Sequence, residues 1–186
     1  MNRRLAITAA LILLAPALYA ADSGCVTVTP DNGGFAATFP VNPEPQLQSQ
    51  KDVDTTIWLA KSADGNVMVL VGVTDYWGHI DTDQELTLDQ TNFLSSVGGT
   101  ASTSKRDSFR RAKPKAKLAA EVFDFSTTSG WYGRSRVIVD GDTVYQTAVM
   151  WKQGYDAGAV LDLFEHSFKL LPRKRPAPSA TAAGKQ

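Results

Sequence analysis

Apolar and polar positions along the chain fall into blocks with two different periods. Thr55 to Lys61 and Asn66 to Thr74 alternate or run apolar at strand length, and Asp64 with Gly65 stands between them, so together they predict a β-hairpin. Upstream, Gly33, Gly34, Phe35 and Phe39 predict a short strand that stops at Pro40, after which the prolines at 43 and 45 force an extended loop. From Thr82 to Val97 the period lengthens to about 3.6. Leu86, Gln90, Phe93, Leu94 and Val97 then share one helix face, Thr82 with Glu85 forms a capping box, and Gly98 with Gly99 ends the helix. A second helix is predicted from Asp156, its N-cap, to Phe168, with Ala157, Val160, Leu161, Phe164 and Phe168 as its buried stripe.

Between the helices the period returns to two. Glu121 to Thr127, a turn at Ser129 and Gly130, Trp131 to Val139, then Asp140 and Gly141, then Thr143 to Trp151 predict a second antiparallel group. In its last hairpin Asp-Gly is expected to supply the two positive-φ positions of a tight turn. Strands, helix, strands, helix without βαβ alternation predict an α+β fold, an antiparallel β-sheet flanked by helices as an α/β/α sandwich. No internal repeat is present.

The ends of the chain carry a different message. Arg3 and Arg4 precede an apolar run from Leu5 to Tyr19, the pattern of a secretion signal with cleavage between Ala20 and Ala21. At about 15 residues the run falls short of the roughly 20 that span a bilayer, so no transmembrane span is expected in the mature form. The alternative is a lipid anchor at Cys25, since Ser23, Gly24 and Cys25 resemble the end of a lipobox, although Asp22 stands where an aliphatic residue is usual. Cys25 is the only cysteine, which excludes an intramolecular disulfide framework. Residues 21–32 then form an N-terminal segment, 33–171 a single domain, and 172–186 a disordered basic, proline- and alanine-rich tail.

Charge narrows the function classes. The chain has 19 Lys and Arg against 19 Asp and Glu; removing Arg3 and Arg4 with the signal leaves 17 against 19, a net charge of about −2. That balance excludes a globally basic nucleic-acid binder. Locally the charges segregate. Lys105, Arg106, Arg110, Arg111, Lys113, Lys115 and Lys117 oppose the single Asp107, whereas residues 40–104 hold nine acids and two lysines. Such a basic segment suits docking of an acidic partner or an anionic group, and equally suits a solvated edge strand guarded against pairing. Tyr76 and Trp77, in the segment before the first helix, are candidates to line a groove, whereas Trp131, Tyr132 and Trp151 belong to strands.

Catalytic patterns are weak. His79 and His166 are too isolated to compose a metal site, and a cation loop of Asp75, His79 and Asp81 matches no familiar ligand spacing. The carboxylate pairs Asp52 with Asp54 and Asp81 with Asp83 lie in polar loops, no serine sits in a nucleophile elbow, and no glycine-rich loop opens a helix. No catalytic, cofactor-binding or metal-binding residue is assigned.

Phe35 to Pro40, the hairpin and helix that follow, Asp140 to Gln146, and Phe164 to Leu170 resemble the superfamily that includes the PsbP proteins of photosystem II and the Ran-binding nuclear-import factor of yeast, with small exported bacterial relatives. The resemblance spans about Gly33 to Leu171 and implies an antiparallel sheet sandwiched by helices in proteins that act by binding partners. Leu118, Ala119 and Ala120 stand where relatives usually carry a glycine-containing turn, which leaves the register of the strand at Glu121 open. The expectation is an exported, periplasmic or secreted, non-enzymatic binding or accessory protein, acting through protein contacts in an envelope complex. Binding of a small ligand, or hydrolysis at an unrecognised site, is the alternative.

Overall fold

A computed structural model describes residues 24–175 and 177–179. The expected signal with its cut between Ala20 and Ala21, and the last residues of the expected tail, lie outside the described residues. Among the described residues ten strands and two helices follow in order: β1 (Val26–Val28), β2 (Gly33–Phe39), β3 (Glu44–Gln50), β4 (Val53–Lys61), β5 (Val67–Tyr76), α1 (Thr82–Val97), β6 (Gly99–Arg111), β7 (Ala116–Thr127), β8 (Trp131–Asp140), β9 (Thr143–Lys152), α2 (Gly158–Ser167) and β10 (Lys169–Arg173). Seven strands make one antiparallel sheet in the order β3-β4-β5-β9-β8-β7-β6, and β1-β2-β10 make a second, smaller one.

The large sheet is covered on both faces, which explains why its central strands read as nearly continuous apolar runs. In β5, Val67, Val69, Val71 and Val73 point to one core, shared with Phe35, Phe39, Phe164 and Phe168 from the small sheet and α2. Met68 and Leu70 point the other way, into a core closed by Leu86 and Phe93 of α1 with Phe123 and Phe125 of β7. The α+β class and the helix-flanked antiparallel sheet are as the sequence predicts.

Local details depart from expectation where tertiary partners intervene. The capping box of Thr82 and Glu85 does not form: Asp81 caps α1, accepting from the Gln84 amide at 2.8 Å, while Glu85 turns inward and accepts from the Tyr76 hydroxyl. Ala157, not Asp156, is the N-cap of α2, although the Asp156 carboxylate still accepts from the Gly158 amide at 3.0 Å. The turn between β8 and β9 places Gly141 and Asp142 at its centre, with positive φ (63°) at Gly141 and not at Asp142. The proline segment expected as a loop is strand β3, where Pro45 pairs with Trp58 at the open edge of the sheet, the place where a sheet tolerates proline. The domain boundary expected at Leu171 falls inside β10, which carries Pro172 and Arg173.

Candidate interaction surface

The basic segment forms the far edge of the large sheet. β6 has β7 as its one neighbour, and the two form a long hairpin whose tip is residues 112–115. β7 begins at Ala116, which fixes the register left open at Glu121: this residue pairs with Arg106 on one side and Val137 on the other. Sequence clustering does not separate the seven cations, but their partners do. Arg106 reaches α1, donating to the Thr87 hydroxyl at 3.0 Å and lying 3.6 Å from Asp83 and 3.4 Å from the buried Glu121. Arg111 pairs with Asp140 and donates to the Pro114 carbonyl at 3.2 Å. These two fasten the hairpin to the body. Lys105, Arg110, Lys113, Lys115 and Lys117 are exposed, and none has a carboxylate within 4.0 Å among the described residues.

The aromatic candidates occupy the same end of the sheet as the hairpin tip but a separate patch. β9 and β8 lie between β5 and β7, so about 14 Å of sheet divides them at roughly 4.8 Å per strand. Tyr76 ends β5 with its hydroxyl on Glu85, and Trp77 donates its ring N–H to Asp54 at 3.2 Å. The chain's own C-terminal segment covers this patch. Arg175 stacks its guanidinium 4.2 Å from the Trp77 ring centroid and donates to the Tyr76 carbonyl. Arg173 grips Asp75 with two bonds, at 2.5 and 2.8 Å, and the Ser179 amide donates to Asp54 at 2.9 Å. Gly34 makes room for this: a Cβ there would sit 2.8 Å from the Arg173 Cδ, and one at Gly33 would sit 2.3 Å from the Pro172 carbonyl oxygen. Beside the segment runs a groove of about 350 Å³, lined by Asn32, Leu47, Asp54, Asp75 and Ser179.

The residues of the hypothetical cation loop do not converge. Asp75 is turned inward onto Arg173, Asp81 caps α1, and His79 is exposed with Asp142 at 3.9 Å. No group of three His, Cys, Asp or Glu side chains could hold a metal ion among the described residues. Of the two carboxylate pairs, Asp54 is buried and bound by Trp77 while Asp52 is exposed at a turn, and Asp83 is exposed beside Arg106.

One titratable residue escaped the sequence reading. Asp89 lines a pocket of about 50 Å³ between α1 and the sheet, with Thr55, Ile57, Leu70, Asn92 and Gln146. Burial of its carboxyl, reinforced by the Glu85 charge one turn earlier, pushes it up to about 8. Its position four residues before Phe93 and four after Glu85 places it on the sheet-facing side. The pocket has room for a few waters, well below the roughly 300 Å³ of a ligand site. Asp124 behaves oppositely: hydrogen bonding from Arg134, at 2.7 Å, holds its carboxyl below the usual range.

The fold of the chain is PsbP-like. It is similar to the solution structure of cyanobacterial PsbP (CyanoP) from Synechocystis sp. PCC 6803, with a TM-score of 0.52 over 84% of this chain and 100% of that one, at 9% sequence identity. The likeness supports the PsbP side of the sequence resemblance and not its Ran-binding side. No family model and no curated protein matches the chain. At that identity the comparison speaks to fold alone. No helix of the described residues is long and apolar enough to cross a membrane.

Proposed function

We propose that this chain is an exported accessory protein that works by binding an acidic protein partner in an envelope complex, not by catalysis. The observation that carries the reading is the edge hairpin: five of its seven cations have no carboxylate partner among the described residues and stand exposed around its tip and outer edge. Clustered like charges repel one another, and salt screens that repulsion over about 10 Å at 0.1 M, so the cluster gains free energy when an anionic surface arrives. A PsbP-like fold, whose family resemblance implies partner binding, supports the same reading. So does the sequence pattern of a cleavable secretion signal ending at Ala20.

Replacing Arg110, Lys113, Lys115 and Lys117 together by glutamine tests it. Arg111 is left intact because its pair with Asp140 is half-buried and structural. Exposed substitutions change stability by about 0.5 kcal/mol or less each, so the variant is expected to fold. Capture of the partner from envelope extracts is expected to weaken and to lose most of its dependence on salt. Unchanged capture and unchanged salt dependence would reduce the hairpin to a guarded sheet edge.

A further inference from the structure

We infer that Arg136 and Lys105 form a seat for a carboxylate group on the sheet face that carries α2, and that the carboxylate belongs to an acidic polypeptide segment wrapping the β6 edge. The inference rests on the binding role proposed above and extends it to a residue outside the basic segment. Lys105 pairs with Val122, and Val122 pairs with Arg136. Directly paired residues of antiparallel strands point to the same face, so both cations rise on either side of Val122, about 10 Å apart at Cα. Phe109, Ala120 and Ile138 belong to the same face.

Arg136 differs from the other arginines of the sheet. Its Nε is buried and has no hydrogen-bond partner, and its guanidinium lies 5.9 Å from the Phe109 ring centroid. Arg134, two residues earlier, is bound to Asp124 at 2.7 Å, and Arg106 and Arg111 have carboxylates of their own. No carboxylate lies within 4.0 Å of Arg136 among the described residues. A guanidinium beside an aromatic ring and without a carboxylate of its own suits the planar two-oxygen group that its fork fits. Lys105 supplies a second donor across Val122. Two acids stand beside them on the face: Asp107, next in line along β6, is exposed and forms no ion pair with either among the described residues, and Asp124, two residues from Val122 on β7, is already held by Arg134.

The distribution of the cations selects the occupant. Alternation along β6 puts Lys105 on the α2 side of the sheet and Arg110 on the α1 side, with Lys117 paired opposite Arg110 and Lys113 and Lys115 in the tip. A flat bilayer meets one side of this edge at a time. An extended acidic chain can run along the tip and over the edge, reaching both.

The test is fluorescence anisotropy of a labelled hexaglutamate peptide titrated with the whole folded chain at low salt. Arg136→Gln and Arg134→Gln remove the same charge two residues apart. The first is expected to weaken binding about tenfold, the loss of one bidentate charge-assisted contact, and the second, made together with Asp124→Asn so that no acid is stranded beside the seat, about twofold or less. Arg136→Lys should recover only part of the affinity, Lys105→Gln should weaken it severalfold without touching a half-buried residue, and Asp107→Asn should tighten it. Equal affinities for Arg136→Gln, Lys105→Gln and the native chain, with loss in the quadruple hairpin variant, would overturn the seat and leave the accessory role standing. No loss in any variant would overturn both. Binding of inorganic phosphate or anionic vesicles through Arg136, with none of the peptide, would overturn the choice of occupant.

Discussion

Ending the chain at Leu171 removes the segment that the sequence marks as dispensable, and the structure gives it a large effect. The truncation deletes Arg173, whose side chain is 10% exposed against 4% for its partner Asp75. Asp75 is then left buried with the Thr143 hydroxyl, at 3.0 Å, as its remaining side-chain donor. Removing one member of a buried ion pair costs about 3 to 5 kcal/mol, because the other charge stays desolvated and uncompensated. For a domain of this size each kcal/mol moves Tm by roughly 2 to 4 °C, so a drop of about 6 to 20 °C is expected. Arg175 contributes much less, since its ion pairs are more exposed, and a chain ending at Lys174 should melt close to full length. Asp75→Asn in the chain ending at Leu171 separates charge from packing: it removes the stranded anion and should restore a good part of the loss. Differential scanning calorimetry of the three truncated forms decides the matter. Melting of the Leu171 form within about 2 °C of full length, or no recovery with Asp75→Asn, would refute the reasoning.

Two further outcomes follow from the cores and from Asp89. Phe168 is 5% exposed and meets Phe35, Phe109 and Phe164 with ring centroids 6.2, 5.6 and 6.2 Å away; Phe168→Ala should cost about 3 to 5 kcal/mol in urea unfolding, and a loss near 1 kcal/mol would mean that the small sheet and α2 close up around the hole. The Asp89 carboxyl is raised from 3.8 to about 8 in the folded chain, so the folded state keeps a proton that the unfolded state releases as pH rises past 3.8. Its contribution is therefore fully present below that point and is lost as pH rises toward 8. Unfolding free energies measured between about pH 5 and about pH 9 should decline in the native chain and decline less in Asp89→Asn, and equal slopes would show that another group drives the change.

The sequence determined by itself what local periodicity controls. The hairpin of β4 and β5, the span of α1, the β8–β9 hairpin and the α2 stripe of Ala157, Phe164 and Phe168 each bury an apolar face whose spacing is written in a single stretch of chain. The antiparallel, helix-flanked class follows from their order. Strands without such a face left little trace: β3, exposed apart from two half-buried residues, reads as a loop, and β6, with no apolar alternation along 13 residues, shows in the sequence only through its charges as one of two readings, an edge strand. Each is a strand because a neighbour offers its ladder, a cooperative gain that no propensity of its own records. Partnerships across long sequence distances were equally hidden. Arg173 and Asp75 are 98 residues apart, and only the return of β10 beside β2 brings them together. The seven cations looked alike in sequence, and tertiary packing alone divided them into two fasteners and five open charges. It also set Arg136 across the sheet from Lys105, because strand register places residues 31 positions apart on one row while leaving no trace in the spacing of either.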